Sequence, residues 1–297
     1  MGLVTEKTHW IFLLPSTEEE CQPRHLLDIA FGLFALQKAG IDINNISVIV
    51  DSSTENRTRS ILSAFTGVKY TNPLYTSSDL SNIIAKGEYE NVVMYITGHG
   101  SPYGLDSNPP IKPYPFFKMF YNASHIKNAI IYFGQCYAGI FDKMPLEKHL
   151  NFKDSDCNII AIGSTGFYPS VSYNLKLGTI TLSWSANIFL FFALSFLLEK
   201  EDVDGDNKIS IMDSFKYASY KTNECLVELK KQDEKKELLY KESAEKAIEK
   251  LKNENIVGSS KENLLLDIEA YETMLKVKFT HQEPWILNSS FAMEVEI

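Results

Sequence analysis

Two apolar runs each end on a side chain that can do chemistry. Asn91-Val-Val-Met-Tyr-Ile-Thr-Gly-His-Gly100 delivers His99, and Asn128-Ala-Ile-Ile-Tyr-Phe-Gly-Gln-Cys-Tyr-Ala-Gly139 delivers Cys136. A thiol attacks a carbonyl as its thiolate; a neighbouring imidazole promotes that state and then protonates the departing amine. The oxyanion that forms needs N–H donors, and losing one commonly costs about 2.7–4 kcal/mol of barrier. The backbone N–H groups of Gly100 and Cys136 are the candidates. Gly98 and Gly139 are expected to let the chain turn sharply enough to expose the reactive atoms. Taken singly, His99 reads as a strand cap and Cys136 as a small buried hydrophobe. Taken together, each at a strand end beside glycines, they read as a nucleophile and its base.

A second constellation is Asp202-Val-Asp-Gly-Asp-Asn-Lys-Ile-Ser-Ile-Met-Asp213. Oxygen-bearing side chains fall at loop positions 1, 3, 5, 9 and 12, which are Asp202, Asp204, Asp206, Ser210 and Asp213, and the Lys208 carbonyl falls at position 7. That is the spacing with which an EF-hand-type loop wraps one Ca2+. Ile209 supplies the apolar position 8. Asn207 stands where glycine is usual, and Asn tolerates a left-handed turn. Asp213 stands where Glu is usual, so closure of the ion shell is weaker. The competing reading is a solvated acidic turn. Ca2+ is the expected cofactor, as a brace or a gate, and no organic cofactor is expected.

The elements that must position these groups follow from pattern. Trp10–Leu14, Ile46–Val50, the His99 and Cys136 runs, and Asn158–Gly163 are near-continuous apolar stretches, as buried parallel strands are. Residues 20–39 carry Leu26, Leu27, Ile29, Ala30, Leu33, Phe34 and Leu36 at helical spacing and stop at Gly40. Further helices are expected near 56–65, 78–86 and 114–122. The strand–helix alternation predicts an α/β fold with a mostly parallel sheet covered on both faces. A helix over about 181–200 is expected next, then the acidic loop and another helix. Residues 223–278 form a charged helical segment in which Tyr240, Ala244, Ala247, Ile248 and Leu251 make an apolar stripe. Residues 279–297, including Phe291–Ile297, are expected to be extended and to return to the core. The division is thus 1–222, with the loop at 202–213 inside it, then 223–278 and 279–297.

Composition excludes several classes. A chain of 297 residues with 44% apolar content can bury a sizeable core, and a net charge of −9 argues against a nucleic-acid binder or adhesion to anionic membranes. The most apolar run, Ala186–Leu198, is shorter than the roughly 20 residues of a membrane span. Four scattered cysteines, Cys21, Cys136, Cys157 and Cys225, suggest neither a disulfide framework nor a zinc site. With no signal peptide in view, a reducing, cytoplasmic setting is expected.

At this point the sequence resembles a known group. Thr97-Gly-His-Gly100 with Gln135-Cys-Tyr-Ala-Gly139 resembles the caspase-like cysteine peptidases: caspases, metacaspases, legumain and the peptidase-like subunit of the GPI transamidase. Pro23-Arg-His-Leu26, the segment 36–50 and Ile160-Ala-Ile-Gly-Ser-Thr-Gly-Phe-Tyr-Pro-Ser-Val-Ser-Tyr173 resemble the legumain and transamidase branch in particular. The likeness covers about residues 8–200. It implies a caspase-like α/β/α sandwich, with the helical segment as an appendage, and a His99–Cys136 dyad. It also implies recognition of the residue before the cleaved bond by Arg24, His25 and Ser172, with Tyr137 beside them. Two positions depart from the pattern. Gln22 stands where that branch carries an Asn that orients the catalytic His, and Tyr137 stands where it carries an acidic residue. An Arg without that opposing carboxylate suits Asp as well as Asn.

The function expected is therefore a cysteine endopeptidase cleaving protein or peptide substrates after Asp or Asn, with calcium modulation. Two alternatives share the fold. One is a transpeptidase or transamidase that resolves the thioester with an amine; the other is a catalytically inactive interaction module. The segment 223–276 is either a plain surface helix pair or the platform for a regulatory partner.

Overall fold

The computed structural model describes residues 2–144, 146, 156–176, 183–253, 256–279 and 282–297. The chain divides into two units, Met1–Lys221 with Gln282–Ile297, and Thr222–His281. In chain order the elements are β1 (Thr8–Leu14), α1 (Pro23–Lys38), β2 (Ile46–Val50), α2 (Glu55–Leu62), β3 (Leu74–Tyr75), α3 (Leu80–Lys86), β4 (Asn91–Ile96), β5 (Gly100–Ser101), β6 (Gly104–Leu105), α4 (Pro113–Asn122), β7 (Asn128–Phe133), β8 (Asn158–Gly163), β9 (Ser172–Lys176), β10 (Ser183–Asn187), α5 (Ile188–Glu199), α6 (Ile211–Asn253), α7 (Ser259–Phe279), β11 (Trp285–Leu287) and α8 (Ser289–Ala292).

The first unit is built on a seven-stranded sheet of order β11-β8-β7-β4-β1-β2-β3. All neighbours are parallel except β11, which pairs antiparallel with β8. The strand order reverses at β1 and β4, the place where open α/β sheets leave a crevice beyond the strand carboxyl ends. The pleat sorts β1 between two cores. Trp10, Phe12 and Leu14 join the face with α1 and α5; Ile11 and Leu13 join the opposite face, with Phe116, Phe117 and Phe120 of α4. Burial on both sides is why these strands are apolar throughout rather than alternating.

Two sequence expectations need correction. The helix expected over 181–200 starts only at Ile188, because residues 183–187 form β10, paired antiparallel with β9. Trp184 and Ala186 turn inward and Asn187 caps the helix, its side chain accepting the Leu190 N–H at 3.0 Å. Residues 181 and 182 lie outside the described ones. The tail returns to the sheet through β11, Trp285–Leu287, but is not extended throughout: Ser289–Ala292 is a helical turn, and beyond it Glu296 bridges to Gly2 and to Ser210. Among the described residues no helix is long and apolar enough to cross a membrane.

The second unit holds the remainder of α6 and α7. In the expected stripe Ala244 and Ala247 are buried and Tyr240 and Leu251 half-buried, but Ile248 is exposed. Lys278 pairs with Glu237 at 2.6 Å.

At the amino ends of the strands a polar ladder crosses the sheet. Thr8, Asn91, Asn128 and Asn158 lie in register on four adjacent strands. Asn158 Nδ2 donates to Asn128 Oδ1 at 3.2 Å, Asn128 Nδ2 to Asn91 Oδ1 at 2.8 Å, and Asn91 Nδ2 to Thr8 Oγ1 at 3.4 Å. Asn128→Ala removes two of the three hydrogen bonds and takes a partner from the buried Asn91 and the half-buried Asn158. The expected loss is about 1–3 kcal/mol, read from the urea midpoint, with alkylation of Cys136 at the far end of the sheet unchanged.

Candidate active site

His99 and Cys136 are set side by side by register. Ile96 at the end of β4 is paired with Phe133 at the end of β7. Each reactive residue lies three positions further along its own strand. The two segments then touch through Gly100: a Cβ there would fall 2.3 Å from the Cys136 carbonyl oxygen and 2.5 Å from Gln135 Cγ. Only glycine permits that approach. Gly98, at φ +106°, turns the chain off β4 ahead of His99.

On the Cys136 side the sharp turn is not at Gly139. Tyr137 takes it, at φ 57° and ψ 30°, a left-handed conformation that costs energy for a residue with a side chain. The strained residue is held from the loop after β8, where the Tyr168 and Gly166 carbonyls accept the N–H groups of Tyr137 and Gly139 at 2.9 and 3.0 Å. The same loop gives the Ser170 N–H to Cys136 Sγ at 3.3 Å. The backbone N–H of Cys136 has no partner among the described residues, which leaves it available to an oxyanion. The thiol and the His99 imidazole share no direct hydrogen bond among the described residues; such contacts often tighten only with substrate in place.

Arg24 and Ser172, distant in sequence, meet. Arg24 Nη1 donates to Ser172 Oγ at 3.2 Å, and Nε donates to Gln22 Oε1 at 2.9 Å. Ser172 is placed by β9, whose partner across the hairpin is Asn187. Arg24 has no carboxylate ion pair among the described residues, so its fork can still take one from a ligand.

His25 is elsewhere. It is buried, only 6% exposed, and its ring stands edge-on to His99 with centroids 5.1 Å apart and planes at 83°. It faces the candidate base rather than an open cleft. Burial, with the Arg24 charge and His99 adding to it, pushes its imidazole down to about 3. With the ring neutral, the 4.0 Å approach of Nδ1 to Asp28 Oδ2 is not an ion pair.

Sequence reasoning missed Asp28, Thr97 and Asn187, which organise the site from beneath. Asp28 Oδ1 accepts the Trp184 indole N–H at 2.9 Å and the Asn187 N–H at 3.3 Å, and Oδ2 accepts the Thr97 hydroxyl at 3.1 Å. Burial pushes its carboxyl up to about 7, against the pull of those donors and of Arg24. Asn187 Nδ2 donates to the Gly134 carbonyl, just ahead of Cys136, and to Ser170 Oγ. The available signal was an Asp in the middle of the apolar face Leu26, Ile29, Ala30 of α1: a carboxylate is buried there only with dedicated donors.

The acidic loop is preorganised. Oxygen atoms of Asp202, Asp204 and Asp206 lie within 4.8 Å of one another. Gly205 at φ +77° and Asn207 at φ 66° turn left-handed, both N–H groups donating to Asp202. The Lys208 N–H donates to Asp206 at 2.9 Å. Lys216, 2.7 Å from Asp204, holds that carboxyl below its usual range. Ser210 and Asp213, expected as ligands, are turned to each other instead. Asp213 is fully buried, accepts from Ser210 Oγ and N, and takes the Val203 and Asp204 N–H groups on its other oxygen. It staples the loop. The three outer carboxylates suit a hard cation, while Asp213 would have to release four donors to join them.

The chain matches no known family model and no curated protein sequence.

Asp28 carries a pH signature. Its folded value near 7 lies above the unfolded 3.8, so the native state holds the extra proton between them and stability falls as pH rises through that window. Asp28→Asn cannot titrate. The melting temperature of the wild type minus that of the variant is expected to drop from pH 4 to pH 8; a difference flat with pH removes the assignment.

Proposed function

We propose that this chain is a cysteine endopeptidase of the caspase and legumain type, carrying the α/β/α sandwich of that group and cleaving after Asp or Asn. One observation carries the reading. A histidine and a cysteine stand three residues beyond register-paired ends of adjacent parallel strands, with the Gly100 backbone packed against the Cys136 carbonyl.

In this reading His99 takes the proton of the Cys136 thiol, and sulfur attacks the substrate carbonyl. The Cys136 N–H and that of Gly100 hold the oxyanion. His99 then protonates the leaving amine, and water releases the acyl group from the thioester. Arg24, steadied by Ser172 and Gln22 and with no carboxylate ion pair among the described residues, takes the side chain before the cleaved bond. An unopposed guanidinium favours Asp over Asn. The acidic loop is proposed to bind Ca2+ through Asp202, Asp204 and Asp206 and so to brace the junction of α5 and α6.

A digest of a proteome-derived peptide library tests this. Cys136→Ala and His99→Ala are each expected to lower cleavage about 10⁴-fold or more. Arg24→Ala is expected to lower kcat/KM on Asp substrates about 10- to 100-fold, as loss of a charged hydrogen bond worth about 1.5–3 kcal/mol does. Ligated products in place of hydrolysed ones would identify the transpeptidase alternative, and wild-type protein that neither cleaves nor reacts with a peptidyl electrophile would overturn the enzyme reading. For the loop, calcium at 100 times its Kd adds about 2.7 kcal/mol to stability. Millimolar calcium is expected to raise the Tm of the wild type and not of Asp202→Asn; a Tm indifferent to both calcium and EDTA excludes the ion.

A further inference from the structure

We propose that His25, fixed by Thr97 and Asp28, is the positioning residue that orients His99. The inference rests on the peptidase reading of His99 and Cys136 and supplies the orienting partner that reading lacks. Gln22, at the position where the resembling branch carries its orienting Asn, is engaged elsewhere: its Oε1 accepts from Arg24 and its Nε2 donates to Glu18 at 3.2 Å.

Proton counting defines what His25 presents. A hydroxyl has one proton, and that of Thr97 goes to Asp28 Oδ2 when the carboxylate is ionised. Thr97 Oγ1 also faces His25 Nδ1 at 3.4 Å, so Nδ1 is the donor and carries the ring proton. His25 Nε2 is left as a bare lone pair. It is buried and has no partner among the described residues. A buried acceptor without a donor is uncommon, and the polar ring beside it is His99. When His99 takes the thiol proton on one ring nitrogen, the other carries an N–H, and a modest reorientation of one ring across the 5.1 Å between ring centres lets that second N–H donate to His25 Nε2. His25 does not take the proton, because burial holds its imidazole neutral.

The relay has a direction, and Asp28 sets it. Oδ1 is committed to Trp184 and Asn187, so a proton on Asp28 sits on Oδ2 and donates to Thr97. The Thr97 hydroxyl then donates to His25 Nδ1, and the ring proton moves to Nε2. His25 now presents an N–H to His99, which an imidazolium cannot accept. The groups facing this relay are Arg24 on α1, His99 and Thr97 beyond β4, and the uncharged Trp184 and Asn187 of β10.

Two readouts test the relay. Nitrogen-15 NMR of the imidazoles reports the His25 tautomer whether or not the protein cleaves anything. The expected result is Nδ1–H at pH 8.5, a change to Nε2–H on acidification through the titration of Asp28, and Nε2–H at every pH in Asp28→Asn. One fixed tautomer in the wild type overturns the relay. In kinetics on the best library peptide, His25→Ala is expected to lower kcat about 10-fold or more with little change in KM. His25→Gln, whose carboxamide oxygen can accept from His99, recovers part of that. Equal kcat in wild type, His25→Ala and His25→Gln, with melting temperatures confirming that both variants fold, overturns the positioning role while leaving the peptidase reading intact. Absence of cleavage in the wild type with the tautomer change present defeats the peptidase reading instead, and the positioning role falls with it.

Discussion

The parallel register of β4 on β7 is the constraint on which the site depends. Once Ile96 and Phe133 are paired, the chain must leave both strands at the same height and on the same edge of the sheet. Parallel hydrogen bonding allows no independent adjustment of one strand end, since a one-residue slip would exchange the two buried faces of the slipped strand between the two cores. Val93, Tyr95, Ile130 and Tyr132 on one face and Val92, Met94, Ile131 and Phe133 on the other make such a slip prohibitive. The hydrophobic cores thus fix the spacing of two residues that belong to neither core.

The two ends of the sheet are finished with opposite chemistry. At the amino ends, amide side chains satisfy one another in a ladder that needs no charge and no solvent. At the carboxyl ends the polar groups are of different kinds: a carboxylate, a hydroxyl, imidazoles and a guanidinium, several of them buried. Such mixtures cost stability unless each group finds a partner. Asp28 has three donors, while the Nε2 atom of His25 has no partner among the described residues.

Backbone strain has the same distribution. The left-handed Tyr137 follows the candidate nucleophile directly and is restrained by hydrogen bonds from a separate loop. In the acidic loop, by contrast, the left-handed positions fall to Gly205 and Asn207, which tolerate them. The loop is quiet as built; the turn at Cys136 is not.

How much of this was legible beforehand follows from which forces are local. Strand composition, the helical stripe of α1 and the Gly-His-Gly and Gln-Cys-x-x-Gly ends are written in short stretches, so the parallel sheet and the placing of His99 and Cys136 beyond adjacent strand ends could be read directly. The likeness in Arg24 and Ser172 named a pair that does meet. The hairpin β9–β10 was hidden because Ser183–Asn187 runs straight into an apolar helix, and five residues cannot outweigh the helical pattern that follows. Asp28, Thr97 and Asn187 come from three separate parts of the chain, and nothing in the spacing of any one of them announces the others. The sequence by itself determined which side chains could react and which strands would carry them, because periodicity and residue type act over a few neighbours. Only the tertiary structure decided that Asp213 closes a loop, that His25 faces His99 and that Asp28 lies beneath both, because burial and hydrogen-bond partners are settled by chain segments far apart in the sequence.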